Sequence, residues 1–108
     1  MRWVAIKSVE EFPPDSADEF VIGTLVIAVF RVGDHFYALD GICAHQGGPI
    51  GKGEISKTDA GRYCVTCPWH GWQYELKTGI QTVNGLPLQA TYETRVNEQQ
   101  VEVRVPVG

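Results

Sequence analysis

A chain of 108 residues is long enough for one core and too short for two. Thirteen acidic against nine basic residues give a formal charge of −4. That argues against nucleic acid, where basic stripes supply most of the affinity, and mildly favours a partner with a basic docking patch.

The elements follow a period of two almost throughout. Residues 3–6 open as a short strand. The N-terminus has no long apolar run and no small-residue cleavage site, so no signal peptide is expected. Residues 10–15 break the strand, because Pro13-Pro14 cannot sit inside a paired one. The acidic run of Asp15, Asp18 and Glu19 reads as a solvated loop. Residues 19–23 and 24–32 read as strands rich in β-branched side chains. The greasy stretch 21–30 is interrupted by Gly23 and Thr24 and falls far short of the about 20 residues a membrane helix takes. The expectation is a soluble, cytoplasmic protein. Gly33-Asp34 is a turn, and 35–39 is the returning strand of a hairpin with His35 exposed.

Next comes Cys43-Ala44-His45, set among Gly41, Gly47, Gly48, Gly51 and Gly53, which supply sharp bends and close backbone approach. Two strands, 53–57 and 62–66, flank the turn Asp59-Ala60-Gly61. Then follows Cys67-Pro68-Trp69-His70. A strand over 72–76 is closed by Lys77-Thr78-Gly79, and 92–96 with 100–105 form a last hairpin around Asn97-Glu98-Gln99. Short strands with regular turns predict an all-β sandwich or barrel of antiparallel strands, and no long helix. The expected organisation is one domain, 1–108. A subdomain of about 41–88, carrying both Cys/His pairs, is inserted in a β base built from 1–40 and 89–108.

The two Cys/His pairs carry the chemistry. They are separated by 21 residues between His45 and Cys67. Cysteine and histidine at such short spacing mark a metal site, and the odd count of three cysteines speaks against a disulfide framework. Zinc takes two cysteines and two histidines, but usually with like ligands together; here each pair is mixed. A four-cysteine iron–sulfur cluster is excluded by the cysteine count. A two-iron cluster can carry two thiolates on one iron and two imidazoles on the other. Two ferric ions, two sulfides and two thiolates sum to zero charge, two units above the four-thiolate case. Neutral imidazoles therefore raise the reduction potential, into a range of about −150 to +300 mV. An imidazole on the outer iron keeps a second nitrogen free, as an electron exit and a proton site. Cys64 completes a C-x-x-C string with Cys67, but it lies in a strand-like run and reads as a buried small hydrophobe.

Cys43-Ala44-His45-Gln46-Gly47-Gly48-Pro49 with Cys67-Pro68-Trp69-His70-Gly71-Trp72 resembles the paired C-x-H and C-x-x-H boxes of Rieske iron–sulfur proteins. The similarity takes in Gly51, Gly53, Thr78-Gly79, Leu86-Pro87-Leu88 and the terminal strands, and so most of the chain. It implies one [2Fe–2S] cluster, with Cys43 and Cys67 on the inner iron and His45 and His70 on the outer one. Respiratory members of the family tie the two loops with a disulfide; the equivalent positions here are Gly48 and Trp69. Those members also place a serine hydroxyl on a bridging sulfide where Trp72 stands, while Tyr74 matches a tyrosine that bonds a ligand cysteine. With one such hydrogen bond lost, the resemblance implies a potential in the lower part of the range. Gln46, Gly47 and Gly48 are candidates to offer backbone amides to the sulfides. Trp69 reads as a docking contact or a lid, Trp72 as packing near the cluster, and Pro87 as part of a third, covering loop.

The resemblance points to the soluble Rieske-type ferredoxins, which pass single electrons from a flavin reductase to a terminal oxygenase. An oxygenase iron needs two histidines and a carboxylate. Only His35 remains after the cluster, and no G-x-G-x-x-G fingerprint is present. The chain is thus expected to be a monomeric electron carrier and not an enzyme by itself. Two other readings stay open: a small subunit resembling that of assimilatory nitrite reductase, and a zinc-binding interaction module.

Overall fold

The computed structural model describes residues 1–44, 47–69 and 71–106. The strands are β1 (Arg2–Ser8), β2 (Ser16–Ile22), β3 (Leu25–Val32), β4 (His35–Asp40), β5 (Glu54–Lys57), β6 (Tyr63–Thr66), β7 (Gln73–Glu75), β8 (Thr91–Tyr92), β9 (Thr94–Asn97) and β10 (Gln100–Val105). They form three antiparallel sheets, in the orders β1-β10-β9, β2-β3-β4-β8 and β5-β6-β7. The fold is all-β.

Strand β3 explains the layering. Within it, residues 25–30 are apolar without a break, as a strand buried on both faces requires. Ile27 and Val29 pack with Phe12, Ala38, Val101, Val103 and Val105, between the first sheet and the second. Ala28, Phe30 and Val32 turn the other way, against Val65, Tyr74, Leu76, Cys43 and Cys67. The middle sheet therefore has a core on each side, and the second core contains both cysteines of the two boxes.

Two sequence expectations need correction. Asp18 lies in β2, not in a loop, because the strand read from residue 19 already begins at Ser16. That strand is the outer edge of its sheet, where charged side chains stay solvated while the backbone pairs with β3. The span 92–96 is not one strand. It divides at Glu93, where the chain leaves β4 and joins β10: Tyr92 pairs with Ala38, whereas Thr94 pairs with Val103. Residues 50–52, within the glycine-rich stretch, form a short 3-10 turn, Ile50–Lys52, with Ile50 fully buried.

Candidate metal centre

The first box follows β4 and folds back on itself. Gly41 N–H donates to the Val26 carbonyl at 2.7 Å, and Ile50 N–H to the Gly41 carbonyl at 3.0 Å. Within that loop the Cys43 N–H donates to Gly48 O at 2.8 Å, and Gly47 N–H to Cys43 O at 2.9 Å. Both peptide groups beside Cys43 are thus committed, and its side chain points into the core, 3% exposed. The second box follows β6, and Cys67 N–H donates to Trp72 O across it at 2.7 Å. Cys67 is 1% exposed.

The two thiols meet. They share one core, close enough for the Cys43 sulfur to act on the Cys67 thiol, and neither is in a disulfide. Burial pushes the Cys67 thiol above its ordinary range, the Trp69 backbone amide pulls it back, and the Cys43 sulfur pushes it up again. Buried thiols side by side, free to lose their protons to a cation, are the donor set that an iron takes. The Tyr74 hydroxyl stands 3.2 Å from Cys43 Sγ inside the core. Gly48 makes the room: a Cβ there would sit 2.8 Å from Cys67 Sγ and 2.9 Å from Trp69 Cβ and Cγ. Gly48 and Trp69 therefore face each other across the two loops, with no cysteine at either position. These residues fit a cluster held by two inward thiolates.

The remaining site residues divide. Trp69 is 52% exposed on its loop. Trp72 is half-buried and packs against the core that holds the cysteines. Pro87 is exposed and bridges Ile80. Cys64 lies on β6, fully buried, where burial raises its thiol and Glu75 adds to the effect. His45, His70 and Gln46 lie outside the described residues, and among the described residues no group of three or more His, Cys, Asp and Glu side chains is placed to hold a metal ion.

One residue at this site escaped sequence reasoning. Gln89 is 3% exposed, and its carboxamide reaches the first box. Its Oε1 accepts from Ala44 N–H at 3.0 Å, and its Nε2 donates to the carbonyls of Asp40 at 2.7 Å and Ile42 at 2.6 Å. A lone glutamine after Leu86-Pro87-Leu88 carries no sequence sign of this.

Comparison with known proteins agrees with this picture. The model of the Rieske [2Fe-2S] domain matches residues 2–100. The anthranilate 1,2-dioxygenase ferredoxin subunit of Burkholderia cepacia is 30% identical over 106 residues, 96% of this chain and 93% of that protein. A solved structure described as a complex of reduced oxygenase and oxidized ferredoxin in carbazole 1,9a-dioxygenase superposes with a TM-score of 0.80. It shares 26% identity over 94% of this chain and 91% of that one. A putative NADH-dependent nitrite reductase small subunit from Mycobacterium tuberculosis superposes at 0.89 with 21% identity, over 98% and 97% of the two chains. At that identity the last likeness is one of fold alone.

Proposed function

This chain belongs to the Rieske [2Fe–2S] domain family, and we propose that it is a one-electron carrier between a flavin reductase and a terminal oxygenase. Its cofactor is one Rieske-type [2Fe–2S] cluster, which when bound takes up and returns a single electron. In this reading Cys43 and Cys67 hold the inner iron and His45 and His70 the outer one. Residues of about 41–88 act as the cluster-binding part of a single domain. Tyr74 gives a hydrogen bond to the Cys43 sulfur, Gly48 keeps the space beside Cys67 open, and Trp72 packs behind the second box. Gln46 lies next to the first histidine, and Pro87 belongs to a covering loop. The observation that carries the reading is the pair of buried thiols meeting in one core with the Tyr74 hydroxyl on one of them.

The surface around the boxes says what kind of partner fits. None of the nine basic and thirteen acidic residues falls within 41–51, 63–74 or 78–92. On those segments Ile42, Trp69, Leu86 and Leu88 are 50, 52, 53 and 39% exposed. The net charge of −4 therefore sits away from the electron exit. The partner that this end suits presents an uncharged, apolar mouth and not the basic patch that composition alone favours. No helix among the described residues is long and apolar enough to cross a membrane. A cytoplasmic monomer is the working state of this reading.

Iron and acid-labile sulfide analysis tests the cofactor; two of each per chain are expected, against one zinc and no sulfide for a zinc module. A low-temperature paramagnetic resonance spectrum of the dithionite-reduced protein tests the mixed ligand set. His45→Cys or His70→Cys should move that spectrum towards an all-thiolate type or lose the cluster. An unchanged spectrum removes that histidine from the ligands. Electron transfer to a purified oxygenase should vary little with ionic strength, and a steep fall with salt would sink the apolar docking surface.

A further inference from the structure

We propose that Gln89 is the positioning residue of the first ligand loop, its buried carboxamide setting the path of residues 40–44 and so the surroundings of the cluster. This rests on the reading of Cys43 as a cluster ligand.

The backbone leads to the proposal. Strands β4 and β8 pair through Ala38 with Tyr92 and Leu39 with Thr91, and Asp40 N–H still finds the Ala90 carbonyl at 2.8 Å. One residue further the backbone ladder ends, just before the cysteine. Gln89 takes over there with its side chain, occupying Asp40 O, Ile42 O and Ala44 N–H in turn. Both hydrogens of its Nε2 and its Oε1 are used, so the carboxamide has one productive orientation. It is held from behind as well. Gln89 N–H donates to Gly79 O at 3.2 Å, and Gly79, at φ +72°, packs so closely that a Cβ would run into the Gln89 carbonyl. Thr78-Gly79, the third loop and the first box are thereby tied through one residue, its backbone on one side and its carboxamide on the other. Among the described residues, the other bonds to this stretch run backbone to backbone, apart from Ile42 N–H to Asp40 Oδ1 at 3.4 Å and the Tyr74 hydroxyl on Cys43 Sγ. Gln89 is the buried side chain that spans three backbone groups of the loop, and so an anchor that substitution can remove.

The molecule supplies its own control. Gln81 is buried to the same degree, 4% exposed, and also spends its carboxamide on backbone. Its Oε1 accepts from Val83 N–H at 3.0 Å and Asn84 N–H at 2.7 Å, in a turn whose tip, Val83, is 89% exposed. Replacing either glutamine by methionine keeps size and removes the bonds, leaving two backbone groups unpaired at Gln81 and three at Gln89. Only Gln89 holds the ligand loop.

The experiment compares Gln89→Met with Gln81→Met, each carrying its cluster. It measures reduction potential, the paramagnetic resonance spectrum of the reduced state, the rate of cluster loss into a chelator, and the thermal midpoint. Both variants should melt at lower temperature. Gln89→Met should in addition shift the potential and the spectrum and lose its cluster at least tenfold faster. Gln81→Met should match the natural chain in all three. Where a methionine variant fails to fold, Gln89→Asn and Gln81→Asn make the same comparison with a carboxamide retained. The proposal is overturned by a Gln89 variant with unaltered potential, spectrum and cluster lifetime, or by a Gln81 variant that moves them as far. A natural chain lacking iron and sulfide would overturn the cluster reading itself.

Discussion

The base and the cysteine-bearing end of this molecule are held together by different forces. In the base, β1, β3, β4 and β10 are six to eight residues long and share apolar cores. Four of the five ion pairs among the described residues, such as Arg95–Glu102, lie in the base; the fifth joins Arg62 to Glu75 of β7 at the other end. At the other end β5, β6 and β7 are three or four residues long, and loops do the shaping through backbone bonds and the carboxamides of Gln81 and Gln89. Burial supplies free energy in proportion to area and is indifferent to small displacements. Hydrogen bonds supply little net energy but fix direction. The difference teaches that stability and redox tuning are separable here, up to the point where Phe30, Leu39, Cys43 and Tyr74 share one core.

The strongest way to break that separation is Ile27→Ala. Ile27 is fully buried between the first two sheets, on the face of β3 away from the cysteines. The cavity should cost about 2–5 kcal/mol, a large share of a domain's stability. Chemical denaturation should show that loss, while the potential of the surviving folded protein stays where it was. A shifted potential would mean that the two cores act as one.

At the other end, Gly48→Ala sharpens the comparison. The added Cβ must displace Cys67 Sγ or the Trp69 ring. Overpacking of this kind costs about 1–3 kcal/mol. Here it should show chiefly as reduced iron content per folded chain, and normal cluster loading with an unaltered spectrum would contradict the tight fit. Tyr74→Phe is subtler. The ring stays and the bond to Cys43 goes. The stability loss should be about 0.5–1.5 kcal/mol. Losing a donor to a ligand sulfur should lower the potential, which a redox titration would read directly.

How far the sequence foretold all this follows the same division. Period-two patterning located the base strands, because burial imposes that period. It read β3 as a strand but not as one buried on both faces, which its consecutive apolar residues 25–30 reflect. It misplaced Asp18, since an edge strand tolerates charge that a central one would not. It ran Tyr92 into Val96, since alternation does not register a change of sheet at Glu93. At the site, residue type and spacing were enough to single out Cys43 and Cys67, which the fold brings into one core. The Tyr74 contact followed from resemblance. Gln89 was invisible, because its role depends on where the β4–β8 ladder stops, which is a property of the folded backbone. Gly48 was legible as a bend but not as the space that Cys67 needs.

The smallest effect belongs to the charged surface of the base. Lys7 Nζ lies 2.9 Å from Asp18 Oδ2, pairing β1 with the edge strand β2. That bond from Lys7 holds the Asp18 carboxyl below its ordinary value of 3.8, burial opposes it, and the Glu19 backbone amide adds to the lowering. The Asp18 side chain is 48% exposed, so solvent screens the pair, and Asp18→Asn should cost at most about 1 kcal/mol. The sign is fixed by linkage. A carboxyl whose folded pKa is depressed stabilises the fold above its unfolded value and loses that contribution as pH falls through the folded one. The gap between the natural chain and Asp18→Asn should therefore be full at pH 6 and close as the pH drops below 3.8. It should also shrink in about 1 M salt, where screening is short-ranged. A gap that persisted in acid would move the effect from the ion pair to the packing of β2, and would place edge-strand geometry, not charge, among the forces that hold the base.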